Sequence, residues 1–287
     1  MKIQSGCHGC IEHQLQQLSK AIGRDEDHRK QMLSELTDIY YRVRDTASPP
    51  ELAALYYGFL EEKTGISDPF RKEKEMSTRL AMRILPDLRR LVGEGEGAFD
   101  RALLLAIGGN IIDYGATPDF DIDDTERQIR QVLSYDYDRA AVKDLHRRMD
   151  DAASILYILD NCGEAVVDRL VIEPYADKMT VAVRGKPILN DVTRIDAVAS
   201  GLDFVPIVDT GDGAPGVSLK RSSADFLDRL RSADLVIAKG QGNFEAMADE
   251  FFDRPAYYLL RTKCQVICSQ LRAELNSIQI IGRNLDK

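Results

Sequence analysis

The hydrophobic periodicity of the chain changes near residue 150, and this change limits the folds that the sequence can adopt. From about residue 9 to residue 150, apolar residues recur at spacings of three and four, which predicts amphipathic helices. After residue 150 the apolar residues form short β-rich runs, and helix-length segments separate most of them. We therefore expect a helical N-terminal domain over residues 1–150, parts of which would pack over the active site, and an α/β domain over residues 151–287.

The second part of the chain predicts a mainly parallel sheet. Strands that alternate with helices form a sheet that is covered on both faces. In such a sheet, ligands bind outside the carboxyl ends of the strands. The predicted fold class is α/β, with the helical part packed on a Rossmann-like α/β/α domain that carries the site. The predicted strands are Ile155–Leu159, Met179–Val183, Phe204–Val208, Leu235–Ala238 and Ala256–Leu260.

The charge balance and the hydropathy limit the class of partner. A formal net charge of −9 and a pI near 5.1 disfavour general nucleic-acid binding, which depends on clustered lysine and arginine. No stretch approaches about 18 consecutive apolar residues, so no membrane span is expected. The segment Met1–Cys10 lacks the apolar core of a secretory signal. We expect a cytoplasmic protein, and its oligomeric state is not readable from the sequence.

Five cysteines occur in the chain, namely Cys7, Cys10, Cys162, Cys264 and Cys268. Their odd number disfavours a secreted disulfide framework. Cys7 and Cys10 form a CxxC pair, a spacing that suits metal binding or redox chemistry, and Cys264 could join them in a second cluster. Ordinary buried thiols are the alternative, so the role of this cluster stays open between metal, redox and structural.

Oxygen-bearing side chains follow the first two predicted strands. Asp160 and Asn161 come directly after Ile155–Leu159, and Asp191 lies in the segment after Met179–Val183. Carboxylate and amide oxygens are the ligands that hard divalent cations prefer. A cation held by these residues would polarise a phosphoryl oxygen and orient or activate a water. The alternative is that these side chains cap the helices that follow.

Two lysines follow later strands. Lys239 comes directly after Leu235–Ala238, in a glycine-containing segment at a predicted helix start. This arrangement suits an anion, because it offers a point charge together with backbone N–H groups. Lys263, which follows Ala256–Leu260, offers a second cation at the same edge. A surface lysine in a glycine-rich turn is the alternative for Lys239.

Three glycines after Phe204–Val208 fit the pattern G-x-G-x-x-G, at Gly211, Gly213 and Gly216. A dinucleotide fingerprint needs a helix that opens inside the motif and an acidic residue at the end of the next strand. Here Pro215 interrupts the motif, and a basic residue, Lys239, stands at the end of the next strand. The pattern therefore favours a phosphate-facing or tight loop over an NAD site.

Taken in order, the motifs resemble those of a known family, the damage-control phosphatases (the ARMT-like group, formerly domain of unknown function 89). The CxxC and Lys-Cys pairs are similar to those of the prokaryotic branch. Cys162 departs from the pattern, because alanine is more usual there, but it follows the proposed ligands. The matching segments, which cover nearly the whole chain, are Cys7–Cys10, Gly108–Gly115, Asp160–Glu164 with Asp168, Asn190–Thr193, Asp212–Gly216, Lys239–Glu245 and Lys263–Cys264.

The resemblance implies hydrolysis of a small phosphorylated substrate with one divalent metal ion, Mn, Co, Ni or Mg. A sugar phosphate or a damaged phospho-metabolite would be such a substrate. By resemblance, the metal-binding and catalytic residues are Asp160, Asn161 and Asp191. The residues implied to bind the phosphate or to lie near the substrate are Lys239, Gly240, Asn243, Lys263, Asn110, Asp113 and Glu164.

Two other functions compete with hydrolysis. One is a carboxylate methyltransferase that uses S-adenosylmethionine, an activity claimed within the family. No glycine-rich loop follows the strand Ile155–Leu159 to support it. The other is a non-catalytic protein that binds a metal or a metabolite, in which the cysteines would matter most.

Overall fold

The computed structural model describes residues 1–111, 122–250 and 252–286. Helices fill the described part of the chain before residue 152, in agreement with the helical periodicity. In these ranges, every helix is too short or too polar to cross a lipid bilayer. The helices are α1 (His8–Ile22), α2 (Glu26–Val43), α3 (Pro49–Thr64), α4 (Arg71–Val92), α5 (Ala98–Gly108), α6 (Ile122–Gln131) and α7 (Arg139–Asp151), with short 3-10 turns at Ser5–Cys7, Gly109–Ile111 and Val132–Ser134.

Helix α3 shows how local sequence fixes an element that later forms part of the site. Ser48 and Glu51 make a reciprocal capping box, in which each side chain accepts from the other residue's backbone N–H. Pro49 and Pro50 occupy the first turn, where a missing N–H costs nothing. Gly65 ends the helix in the left-handed conformation. The start of α3 is therefore rigid.

A six-stranded sheet follows, in the spatial order β3-β2-β1-β4-β5-β6. The first five strands in the sequence run parallel, and β6 runs antiparallel to β5. The order of the strands reverses between β1 and β4, which is where ligands bind in such sheets. The strands are β1 (Ile155–Ile158), β2 (Met179–Val183), β3 (Ile207–Asp209), β4 (Leu235–Lys239), β5 (Ala256–Arg261) and β6 (Ile278–Arg283).

The structure confirms the predicted α/β class with a mainly parallel sheet. Two strand predictions need correction. The predicted strand Phe204–Val208 begins later, at Ile207, because Pro206 has no N–H to donate to the ladder. Strand β6 was not predicted, since it is a half-buried edge strand that follows the last predicted one.

Helices cover both faces of the sheet. Alternate residues of each strand point to opposite faces, so Tyr157 and Ile237 pack on one side while Ile158 and Val236 pack on the other. The remaining elements are α8 (Cys162–Ile172), α9 (Arg194–Ala199), α10 (Ala224–Ser232), α11 (Gly240–Met247), α12 (Gln265–Leu271) and a 3-10 segment at Glu173–Lys178. The first side is covered by α4, α5, α7 and α8, and the second by α10 and α11 with α12.

The main hydrophobic core crosses residue 150. It joins Leu88 of α4 and Leu103 of α5 to Val166 of α8 and to the sheet. The change in periodicity at residue 150 therefore marks a change of secondary structure, while the core is shared by both sides. A separate cluster of α1, α2 and α3 holds Ile188, which lies in the loop after β2.

Candidate active site

Asp160, Asn161 and Asp191 lie together at the carboxyl ends of β1 and β2. The backbone N–H of Val192 donates to the carbonyl of Asp160 at 2.9 Å. Asn161 and Asp191 form an isolated antiparallel bridge. These backbone contacts fix the two strand-end segments side by side, so the structure brings together the three residues that the sequence predicts as metal ligands.

None of these three side chains caps the helix that follows it. Asn161 stands at the N-cap position of α8, yet its side chain makes no capping hydrogen bond. Helix α9 is capped by Thr193 and Asp196 through a capping box, which leaves Asp191 out of the cap. The capping alternative therefore does not account for the oxygens of Asn161 and Asp191.

The two carboxylates are buried next to each other. Asp160 is 8% exposed and Asp191 is 3% exposed. Burial raises the pKa of Asp160 well above its ordinary value, and the charges of Asp191 and Glu164 add to the effect. Burial also raises the pKa of Asp191, against the opposing effect of Arg184. Two buried carboxylates and a carboxamide at one point are a donor set that fits a hard divalent cation.

Arg184 is a site residue that the sequence analysis did not assign. It directly follows β2, is 1% exposed, and donates from Nε to Oδ2 of Asp191 at 2.7 Å. Its Nη2 lies 3.9 Å from Oδ1 of Asp160. Within the described residues, neither Nη atom has a hydrogen-bond partner. The sequence did contain a signal for this role, because Arg184 follows β2 directly and β2 is the neighbour of β1, the strand before Asp160.

A pocket of about 240 Å³ opens over the carboxylates. Its volume is below the roughly 300 Å³ at which pockets for drug-sized ligands begin, which suits a small polar molecule. The start of α3 forms one wall, and the start of α11 forms another. The lining residues are Pro49, Pro50, Asp160, Asn161, Leu189, Asn190, Asp191, Pro215, Gln241, Gly242, Glu245 and Lys263.

Gly240 allows α11 to begin directly against Asp160. Its φ of +80° lies in the left-handed region. A Cβ atom at this position would lie 1.9 Å from Oδ2 of Asp160. The contribution of Gly240, a predicted site residue, is therefore that its lack of a side chain leaves room for the carboxylate of Asp160.

The glycine-rich loop after β3 is a tight loop. Gly211 and Gly216 adopt φ values of +82° and +151°. A Cβ at Gly216 would lie 2.3 Å from the carbonyl oxygen of Gly242, so the loop packs closely on the start of α11. Of this loop, Pro215 lines the pocket.

Lys239 lies beneath the pocket and does not line it. Its side chain is fully buried, and Nζ donates to Oε1 of Glu164 at 2.6 Å, to Oδ1 of Asp168 at 2.5 Å and to the carbonyl of Ala106 at 3.1 Å. A lysine ammonium has three N–H donors. All three point to protein acceptors, so this placement does not fit the prediction that Lys239 holds the phosphate.

Asn243 also has a different placement from the predicted one. Its Nδ2 donates to the carbonyl of Lys239 at 2.7 Å and to that of Leu159 at 3.3 Å. Its Oδ1 accepts from the N–H of Val217 at 3.1 Å. The side chain is buried and ties two strand ends to a loop, which does not fit a direct contact with phosphate.

Asn110 and Glu164 lie behind Asp160. Nδ2 of Asn110 donates to Oε2 of Glu164 at 2.7 Å and to Oδ2 of Asp160 at 3.2 Å. Both residues are buried. Of the other predicted site residues, Lys263 lines the pocket, while Asp113 lies outside the described residues.

The cysteines of the possible second cluster are free thiols. Burial raises the pKa of the Cys7 thiol above its ordinary value. Nε2 of Gln241 contacts Sγ of Cys264 at 3.6 Å. Over residues 1–111, 122–250 and 252–286, no three Cys, His, Asp or Glu side chains form a metal-binding group. The choice between metal, redox and structural roles stays a prediction.

The fold and the site define a class of protein. A mainly parallel α/β sheet places two carboxylates and a carboxamide at a topological switch point, with a lysine and an open helix start across a small pocket. Such a site belongs to an α/β enzyme that handles a small anion. Comparisons with known proteins make the class narrower.

The model of the damage-control phosphatase ARMT1-like domain matches residues 3–278 of the chain. The chain is 31% identical to the damage-control phosphatase PH1575 of Pyrococcus horikoshii, over 95% of each chain. It is 27% identical to a damage-control phosphatase of Archaeoglobus fulgidus, over 94% of this chain and 96% of the relative. The crystal structure of a DUF89 family protein from Pyrococcus horikoshii superposes with a TM-score of 0.86 at 29% identity, covering 97% of this chain and 98% of that chain.

The chain therefore belongs to the damage-control phosphatase ARMT1-like family. This membership makes it a hydrolase of the phosphatase class. Both the family resemblance and the class of enzyme predicted from the sequence are confirmed.

Proposed function

We propose that the chain hydrolyses a small phosphomonoester with one divalent metal ion, which Asp160, Asn161 and Asp191 would hold. The observation that carries this proposal is the convergence of these three side chains on one pocket. Neither Asn161 nor Asp191 is used as a helix cap, and both carboxylates are held at a cost because they are buried side by side. A divalent cation would offset that cost.

By the family resemblance, the ion would be Mn²⁺, Co²⁺, Ni²⁺ or Mg²⁺, and the oxygen ligands fit a hard divalent cation. When bound, such an ion supplies Lewis-acid polarisation of a phosphoryl oxygen and lowers the pKa of a bound water. The chain's own residues have to place the phosphate beside this ion and to balance the negative charge of the phosphate.

The phosphate would lie between the carboxylate side of the pocket and the start of α11. Gln241 and Gly242 of the first turn line the pocket, and Lys239 at the N-cap position makes no capping hydrogen bond with its side chain. Backbone N–H groups at an uncapped helix start favour an anion. Lys263 lines the same wall and adds a positive charge.

The small pocket and its polar wall support a small phosphorylated metabolite as the substrate. Pro49 and Pro50 limit the space above the site, and Glu245 adds a carboxylate to the wall. A sugar phosphate or a damaged phospho-metabolite in the cytoplasm would fit this description.

The proposal is tested by release of orthophosphate from a panel of phosphorylated metabolites with each of the four ions. We expect hydrolysis by the wild-type protein and its loss in Asp191→Asn. Asp228→Asn, which changes an exposed carboxylate of α10, is the matched control and should retain activity. Wild-type activity of Asp191→Asn in saturating Mn²⁺ would refute the assignment, as would a wild-type protein that releases phosphate from no compound with any ion.

A further inference from the structure

A buried network of side chains supports the proposed metal ligands from behind. It consists of Lys239 on β4, Glu164 and Asp168 on α8, and Asn110 after α5. The salt bridges of Lys239 measure 2.6 Å to Glu164 and 2.5 Å to Asp168, and the three side chains are 0 to 1% exposed. None of the four residues lines the pocket. The network can therefore affect the pocket only through its contacts with residues that line the pocket.

Glu164 connects this network to the ligands. Its Oε1 accepts from Lys239, and its Oε2 accepts from Nδ2 of Asn110 at 2.7 Å and from Nδ2 of Asn161 at 3.4 Å. The same two amides donate to Oδ2 of Asp160, at 3.2 and 3.0 Å. Each amide nitrogen thus lies between two carboxylates.

This arrangement fixes which way the two amides face. An ionised carboxylate only accepts hydrogen bonds, whereas an amide offers a donating nitrogen and an accepting oxygen. Facing the carboxylate of Glu164, which pairs with Lys239, Asn110 and Asn161 present their nitrogen, so each Oδ1 is turned to the other side. Oδ1 of Asn110 is buried and has no hydrogen-bond partner within the described residues.

The backbone is built to allow the contact between Asn110 and Glu164. A Cβ at Gly109 would lie 3.3 Å from Cα of Glu164 and 3.2 Å from Cβ of Val167. These distances are tight, so the glycine lets the segment that carries Asn110 lie directly on α8. The contact therefore follows from the packing of α5 on α8.

We propose that Glu164 and Lys239 are positioning residues, which orient the carboxamide of Asn161 and, through Asn110, the carboxylate of Asp160 for the metal ion, and which make no contact with the substrate. The inference rests on the proposed function. Lys239 holds the carboxylate of Glu164 and compensates its charge, and Glu164 holds the amides. This role replaces the phosphate contacts that the sequence suggests for both residues.

The test separates metal binding from phosphate binding. For Glu164→Gln, we expect the Kd for Mn²⁺ from calorimetry to rise about 10- to 100-fold, the usual effect of losing a partner that orients a metal ligand. At saturating Mn²⁺, the inhibition constant for orthophosphate should stay near the wild-type value. Lys239→Met should likewise raise the Kd for Mn²⁺ and leave the orthophosphate constant near the wild-type value. Glu173→Gln, a carboxylate in the segment after α8 that pairs with Arg89, is the matched control and should match the wild type.

The opposite pattern would overturn the inference. If Glu164→Gln or Lys239→Met weakened orthophosphate binding at saturating Mn²⁺ and left the Mn²⁺ affinity unchanged, these residues would contact the substrate. If either variant fails to fold, Asn110→Ala, which leaves the buried ion pairs intact, decides the matter. It should also weaken Mn²⁺ binding, and an unchanged Kd would contradict the proposal.

Failure of the inference can be told from failure of the proposed function. A wild-type protein that binds no Mn²⁺ and releases no phosphate would contradict the proposed function, and the inference with it. A wild-type protein that does both, with Glu164→Gln equal to it in Mn²⁺ affinity, would contradict the inference alone.

Discussion

Arg184 donates from Nε to Oδ2 of Asp191 at 2.7 Å, and both side chains are buried at the carboxyl end of β2. The arginine also approaches Asp160, with Nη2 3.9 Å from Oδ1. It therefore lies beside both carboxylates that we propose as metal ligands. Before a metal ion binds, Arg184 supplies a buried positive charge that limits their repulsion.

Replacement of this arginine should destabilise the metal-free protein. Removing one partner of a buried ion pair costs about 3–5 kcal/mol, because it leaves a buried charge uncompensated. We expect Arg184→Met to lower the free energy of unfolding by that amount, and Mn²⁺ to restore part of it. Denaturant unfolding with and without Mn²⁺ measures both effects.

The matched control is Arg194→Met. Arg194 pairs with Asp209 on the surface at 3.1 Å, and exposed pairs contribute about 0–1 kcal/mol. Equal losses in the two variants would contradict the role given to Arg184.

Metal affinity should increase with pH. Burial and the neighbouring charges raise the pKa of Asp160, and burial raises that of Asp191, so the metal-free site retains protons at a pH where ordinary aspartates are ionised. A metal ion must displace these protons, so lowering the pH weakens its binding. Calorimetry between pH 5 and pH 8, in buffers of different ionisation enthalpy, should show tighter binding at higher pH and proton release on binding. An affinity that does not change with pH would speak against this account.

Gly240→Ala should strongly lower activity by displacing Asp160. The new Cβ would lie 1.9 Å from Oδ2 of that residue, and a misplacement of about 1 Å in an active site costs roughly 100-fold in rate. Turnover of the best substrate measures the effect. Gly65→Ala is the control, because Gly65 has a similar φ of +70° and no atom within 4 Å of the added Cβ. Equal losses of activity in the two variants would show that backbone strain, and not the contact with Asp160, is responsible.

Lys263→Ala should weaken phosphate binding. Lys263 lines the same pocket as the carboxylates, and a hydrogen bond to a charged group contributes about 1.5–3 kcal/mol, or roughly 10- to 100-fold in affinity. We expect the inhibition constant for orthophosphate to rise by that factor while the Kd for Mn²⁺ stays near the wild-type value. Lys72→Ala, on the exposed face of α4, should change neither constant. An unaltered orthophosphate constant in Lys263→Ala would remove this residue from the site.

The grouping of Asp160, Asn161 and Asp191 could be predicted from the sequence because it depends on sheet topology. Polar residues in the segments that follow neighbouring parallel strands lie at the same edge of the sheet. The same reasoning gave the position of Lys263. For these residues, the position in the sequence relative to a strand was enough to predict the edge of the sheet at which they lie.

The direction of Lys239 could not be predicted in this way, because it depends on where the strand ends. The sequence suggests a strand that closes at Ala238, but β4 includes Lys239. Alternate residues share a face, so Lys239 points to the same side as Leu235 and Ile237, toward α8. A shift of one residue in the strand end thus moves the lysine from the pocket to the core.

The hydrophobic periodicity also could not predict that one core joins the residues before and after residue 150. The apolar stripes of α4 and α5 predict amphipathic helices, but not the surface on which each stripe is buried. In the structure both helices pack on α8 and complete one layer of the α/β/α sandwich. The contact between Asn110 and Glu164 follows from this packing, which joins residues 54 positions apart.

The central claim is that one divalent cation binds between Asp160, Asn161 and Asp191. The most direct measurement is an anomalous difference map from a crystal grown with MnCl₂. We predict one strong peak within about 2.0–2.6 Å of side-chain oxygens from all three residues. A peak elsewhere, such as at the cysteines near the N-terminus, with none between these residues, would contradict the account.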